Sequence, residues 1–547
     1  MFIYLHSYHP ETWDAQVKAG LVRKEDGIKF NQSLGLIDEH KFNNLAAKNG
    51  ALYNILKERK CAFYIDRLQG GCFIEDYPYD QELLNEYKKM LGDNFWGFQM
   101  HEWMSNFLSD LNKCNSNGIK EWTEKDIIET IRRAYPMTHL FLESMNAKEL
   151  AENGCPTNVD EFMKDAEKLF IDRQKRTGGM LIPVDSFFLA LNLEIKNGAK
   201  RFMPEVGAQT PDTRVQIAHA RGMAKAHGLS FGTYYEPWRG DPCCVCCYQR
   251  EGKNEWNIRA HTNDFPFSYL DENGGSSRSL QRRIHLYSYF AGAEYMSEEW
   301  GMCNTFYDWK NFELSPYGKV KLEFIKFVDK YPNIGKTITP IAVVIPEDMP
   351  ALDSIHVRSE KEYLGMPATP EMGKKVDAVR CGLQKIFADA YPMIGTDWEI
   401  RSMRNCKLPD ACDIVNEGSL KAENYEYIVD LTGSKEFATK YADKICKVED
   451  VEAILNKTLP CKVTGNIHTL VNKLEDGSFM LMLLNNSGVD RTIEKGELLL
   501  AEADTVVTVN CKGKELIQLE GDGKIQSYEN GEYKVFVPAG GWFMAKF

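Results

Sequence analysis

Residues 201–238 read RFMPEVGAQTPDTRVQIAHARGMAKAHGLSFGTYYEPW. A short apolar run at 201–203, an amphipathic stretch of helical period closing on Gly228, and an aromatic run at 229–235 make one strand–helix–strand unit. Such a unit is the repeat of a parallel sheet covered by helices. The same pattern extends in both directions. Further strand candidates lie at 2–8, 61–65, 95–100, 180–184 and 293–297, with 140–143 in THLFLES as an eighth. Helical patterns separate or follow them, including QELLNEYKKML, SSRSLQRRIHLYSYFAG and LSPYGKVKLEFIKFVDKY, the last opening on the start signal Ser315-Pro316. Several runs end in acidic or aromatic clusters: AFYIDR, GFQMHEW, IPVDS, FMPEVG, TYYEPW and EYMSEEWG. The C-terminal strand ends of a (β/α)8 barrel ring one mouth, where such side chains converge. The same pattern also fits a doubly wound open sheet, the alternative fold.

The chain has 547 residues, enough for several domains. KYPNIGKTITP reads as a linker, and IAVVIPED opens a second βα pattern that runs through VDAVRCGLQKIFADA, YEYIVDLTG and KEFATKYADKI. After Pro460 short alternating strands and Gly-containing turns take over. The expected architecture is α/β: a (β/α)8 TIM-like barrel over 1–335, a small flavodoxin-like α/β domain over 336–458 and a C-terminal β-sandwich over 459–547. A formal charge of -13 disfavours nucleic acid and anionic lipid surfaces. No apolar run has spanning length and the first residues lack a signal-peptide pattern, so a cytoplasmic protein without membrane contact is expected. Fifteen scattered cysteines suit reduced thiols.

Carboxylates beside aromatic rings suit glycoside hydrolysis, in which one acid protonates the leaving oxygen and a second attacks the sugar carbon or activates water. Trp103, Tyr234, Tyr235, Trp238 and Trp300 offer faces for pyranose rings. Glu236 ends one strand candidate, and Glu298 and Glu299 end the next; since side chains alternate, at most one of that adjacent pair faces the barrel interior. Asp66, Arg67, His101, Glu102 and Asp185, with His6 and His9 at the end of the first strand, are candidates for holding sugar hydroxyls. For each acid the alternative is a rim charge or a structural ion pair.

The order of barrel, small α/β domain and β-sandwich resembles the three-domain bacterial β-galactosidases and the wider clan of (β/α)8 glycoside hydrolases. Glu236-Pro237 is similar to the clan's Asn-Glu-Pro acid/base context, and Glu299-Trp300-Gly301 to its nucleophile followed by an aromatic residue and glycine. The resemblance implies a retaining glycosidase without cofactor, with Glu299 as nucleophile, Glu236 as acid/base and Glu205 as the substitute. It also implies homo-oligomer contacts through the second domain. Two departures stand out. Tyr235 replaces the asparagine, and the two motifs lie one helix unit apart, whereas the clan carries its catalytic acids on strands four and seven.

Cys243–Cys247, CCVCC, lacks the two-to-four-residue spacing of a zinc site, and reads first as a thiol-rich loop. No metal is expected, and no Walker or dinucleotide fingerprint implies a nucleotide. The expected function is cleavage of a small oligosaccharide or glycoside. The alternatives are a metal-dependent barrel hydrolase using His6, His9, Asp66 and His101, and a noncatalytic carbohydrate-binding protein.

Overall fold

The computed structural model describes residues 1–30, 41–70, 79–104, 158–185, 190–207, 212–237, 250–251, 255–256, 277–299, 301, 305–306, 311–347, 362–363, 366–367, 369–387, 403–492 and 496–547, with the side chains of 67–70 and of a few other strand residues left aside. Eight parallel strands close into a barrel: β1 Ile3–Tyr8, β2 Gly27–Phe30, β3 Phe63–Gly70, β4 Phe95–His101, β5 Leu181–Asp185, β6 Met203–Gly207, β7 Gly232–Glu236 and β8 Tyr295–Glu298. β8 pairs with β1 through Ile3 and Tyr295, which shuts the ring and excludes the open sheet.

Seven of these strands overlap the sequence candidates; the eighth does not. The barrel closes with Gly27–Phe30, GIKF, while residues 140–143 lie outside the described residues. A four-residue strand with a lysine at its third position breaks the apolar run expected of a parallel strand. β6 and β7 also reach further than read, so Glu205 and Glu236 sit within their strands. The sequence candidate 201–203 ends just before Pro204, yet Pro204, like Pro183, lies inside a barrel strand.

Alternation along the strands sorts side chains into two sets. Leu5, Tyr64, Trp96, Ile182, Tyr234 and Tyr295 form the cluster inside the barrel, while Tyr4, Val206, Tyr235 and Met296 pack outward on the helices. Gly97, at φ +110°, marks an irregularity in β4; a Cβ there would lie 2.2 Å from the Met180 carbonyl oxygen. After it, Gln99 and His101 share one face.

Two further bodies pack on the barrel. A four-stranded parallel sheet, ordered Cys412–Asn416, Ile341–Ile345, Tyr427–Asp430 and Ile445–Cys446, carries the helix Pro370–Ile386. Two antiparallel sheets of five and four strands follow. The five-stranded sheet is covered on both sides: Leu481, Leu483, Phe543 and Ala545 face the other sheet, and Met480, Met482, Trp542 and Met544 face the barrel helices. That explains the continuous apolar text FMLMLL. The segment read as a linker contributes Lys336–Thr337 to the edge of this sheet.

Helix α1, Thr213–His227, ends in the left-handed residue Gly228 and is buried along nearly all its length, wedged between barrel and parallel sheet. At Gly222 a Cβ would lie 2.3 Å from the Ile414 carbonyl oxygen, so only glycine permits this approach. Beside it, Arg221 donates to Asp413 at 2.6 Å and to Asp410 at 3.1 Å. Asp410 also accepts from the Tyr287 hydroxyl of helix α2, Arg278–Phe290, and lies 3.5 Å from His468 of the antiparallel sheet. All three bodies meet at this one carboxylate, which the arginines hold below the usual range.

His468 is fully buried, and burial foremost, with Arg214 adding, lowers its imidazole to about 4 against Asp410's opposing pull. A group with a depressed folded pKa takes up its proton preferentially in the unfolded chain. Stability is therefore complete above about pH 6.5 and falls as pH drops toward 4, by about 3 kcal/mol from this residue. Thermal unfolding followed across that window should show the decline, and His468→Asn should flatten it while lowering stability at pH 7.

Candidate active site

The C-terminal mouth of the barrel gathers acids from four strands. His101 ends β4, and its Nε2 lies 3.3 Å from Oε1 of Glu299, 3.7 Å from Oε1 of Glu102 and 3.9 Å from Oε1 of Glu205. Its Nδ1 is 2.9 Å from Gln99 Nε2, and its ring stands edge-on to Tyr234 at 5.2 Å. Glu205 projects from β6. Glu299 follows β8 by one residue, its amide still donating to the Tyr235 carbonyl at 2.8 Å. Glu236 ends β7 opposite Gly207, where a Cβ would lie 2.8 Å from Glu236 Cγ; the missing side chain makes room for the acid. Glu102 has φ +45°, an uncommon backbone state for a non-glycine residue, and its side chain is 35% exposed, whereas Glu205, Glu236 and Glu299 are buried.

The electrostatics follow from this crowding. Burial first, then Glu102, Glu299 and Glu236, push the Glu205 carboxyl well above the usual range. Beneath, Lys29 of β2 donates to the Tyr234 hydroxyl at 3.1 Å and to the Glu298 carbonyl, with Asp66 of β3 3.6 Å away. Lys29 also sits over the Tyr234 ring at 4.8 Å.

Glu298 points the other way. Lys321 of helix α3, Pro316–Lys330, is 3.1 Å from its carboxylate and His285 of α2 is 3.5 Å away. Burial would raise this acid, but Lys321 and His285, with the Tyr4 hydroxyl nearby, outweigh it and hold it low. Glu299 and Glu298 thus divide as strand alternation requires, one to the mouth and one to the helical shell.

Several other sequence candidates have partners outside this cluster. His6 faces outward, 3.0 Å from Asp26, which also pairs with Arg23. Trp103 is buried against Phe170 with its indole nitrogen donating to Glu194 at 2.7 Å, and Tyr235 packs on His285. Asp185 accepts from the Met104 amide at 2.8 Å, tying down the chain after β4. His9 follows β1 and accepts from the Glu11 amide at 3.3 Å. The Arg67 side chain, Trp238, Trp300 and Cys243–Cys247 lie outside the described residues. Lys29 and Gln99 were not among the candidates. Period-two spacing in QMH already puts Gln99 on the His101 face, whereas Lys29 was hidden with its strand.

No protein-family model matches the chain, and no curated protein matches it. Among solved structures it is similar to a β-galactosidase of the psychrophilic Marinomonas ef1, at 9% identity and TM-score 0.39 over 100% of both chains. It is also similar to a β-galactosidase of the Antarctic haloarchaeon Halorubrum lacusprofundi, at 10% identity and TM-score 0.39 over 100% of this chain and 99% of that one. An α-amylase of H. orenii matches at 9% identity and TM-score 0.25, over 85% of this chain and 64% of its own.

Because Lys321 would be left buried without its carboxylate, Glu298→Gln should cost about 3–5 kcal/mol of stability. The double variant Glu298→Leu with Lys321→Met should recover much of that loss in denaturant titrations.

Proposed function

We propose that the protein is a glycoside hydrolase with Glu102 as acid/base and Glu236 as nucleophile. The observation that supports this is the strand count: with Gly27–Phe30 as β2, Glu102 directly follows the fourth strand and Glu236 ends the seventh. Those are the two positions that the resemblance to the (β/α)8 glycosidase clan implies. The assignment replaces the sequence-based pair of Glu299 and Glu236, whose short motifs sit on strands eight and seven.

In this reading Glu236 attacks the anomeric carbon while Glu102 donates a proton to the departing oxygen; the glycosyl–Glu236 ester is then hydrolysed by a water that Glu102 deprotonates, with net retention. Partial exposure of Glu102 suits a group that must exchange its proton in every turnover. The substrate is a small oligosaccharide or glycoside, and Asp66 with Lys29 lies beneath the same mouth to fix its orientation.

A panel of aryl glycosides covering several sugars and both anomers identifies the substrate. With the best of them, Glu236→Gln and Glu102→Gln should each lower kcat by roughly a thousandfold or more. Glu102→Gln should spare substrates with acidic leaving groups, which need no proton, and azide should rescue Glu236→Gly with formation of a glycosyl azide. Near-normal turnover in both glutamine variants defeats the proposal.

A further inference from the structure

We infer that Nε2 of His101 and the carboxylates of Glu205 and Glu299 form a binding site for one divalent cation of the Mn2+ type. These three ligand atoms come from β4, β6 and the end of β8 and lie within 4.8 Å of one another. An ion with bonds of about 2.1 Å separates neighbouring ligands by about 3 Å and opposed ones by about 4 Å, so the cluster needs to move by less than about 1 Å to close on it. One imidazole with two carboxylates is a borderline-to-hard donor set, suited to Mn2+.

A second observation points to a ligand. His101 Nε2 and Glu205 Oε1 are both buried without a hydrogen bond, and both are directed into the space the three groups share. Gln99 supplies the supporting contact. Its amide lies 2.9 Å from His101 Nδ1 with its own Oε1 lacking a hydrogen bond. Turning the amide by half a rotation, which leaves the shape unchanged, lets Oε1 accept from Nδ1–H and frees the Nε2 lone pair for the cation. Charge favours the same outcome: Glu102, Glu205, Glu236 and Glu299 converge here, and Lys29 is engaged by Tyr234, Asp66 and the Glu298 carbonyl. An octahedral ion held by three side chains keeps positions for oxygen ligands such as sugar hydroxyls. That last role rests on the glycosidase reading; cation binding itself does not.

The test is titration of the full chain, stripped of metal by chelator, with MnCl2, followed by calorimetry and by loss of the free Mn2+ electron paramagnetic resonance signal. Mn2+ is chosen because thiols such as those of Cys243–Cys247 hold it poorly. We expect one ion per chain, with affinity reduced at least about tenfold in Glu299→Gln and in His101→Gln and unchanged in the surface control Asp476→Asn. Glu205→Gln serves if either variant fails to fold. Absence of saturable binding below about 1 mM, or equal binding by wild type and all mouth variants, overturns the inference and leaves the test of Glu102 and Glu236 untouched.

Discussion

Acids taken out of water must be compensated, and the protein does this in two ways. On the outside of the barrel several buried carboxylates meet a fixed cation: Asp26 has Arg23, Glu298 has Lys321, and Asp410 and Asp413 have Arg221. Inside the mouth, Glu102, Glu205 and Glu299 share one imidazole. The first arrangement gives stability with little chemistry, because both partners are spoken for. In the second, a proton on Glu205 relieves the crowding, and protons and ligands can therefore compete for the same oxygens.

The parity of the strands decides which arrangement an acid joins. Tyr234, Glu236, Ser297 and Glu299 fall on one face, and Tyr235 and Glu298 on the other. A slip of one residue in β7 or β8 would exchange mouth and shell, placing Glu298 in the cup and its lysine against nothing. The aromatic layer beneath, with Tyr64 bonded to Ser297 at 2.9 Å, holds the register.

Much of this was legible in the text. Acid-tipped strands gave the barrel, and alternation gave the division of Glu298 from Glu299. What failed was instructive. GIKF is too short and too polar to announce itself as a parallel strand, because its lysine is compensated by Tyr234 and Asp66 from strands far away in sequence. Missing it shifted the strand count by one. Trp103 and Tyr235 looked like sugar platforms because composition does not report facing; each is a packing residue with a polar handle satisfied by Glu194 or set against His285. His6 shares the outer face with Tyr4 by strand parity and meets Asp26 there, a partner twenty residues on.

Gly222 and the arginines beside it set the order in which the molecule can be completed. Helix α1 emerges during synthesis nearly two hundred residues before Asp410 and Asp413, so at about 5–20 residues per second Arg221 waits for about 10–40 s before its acids exist. Until then the barrel, whose last strand ends at Glu298, carries a guanidinium on a surface shaped for a sheet not yet complete. The junction between helix α1 and the parallel sheet is thus completed after the barrel strands, with the later half of the chain acting as its latch.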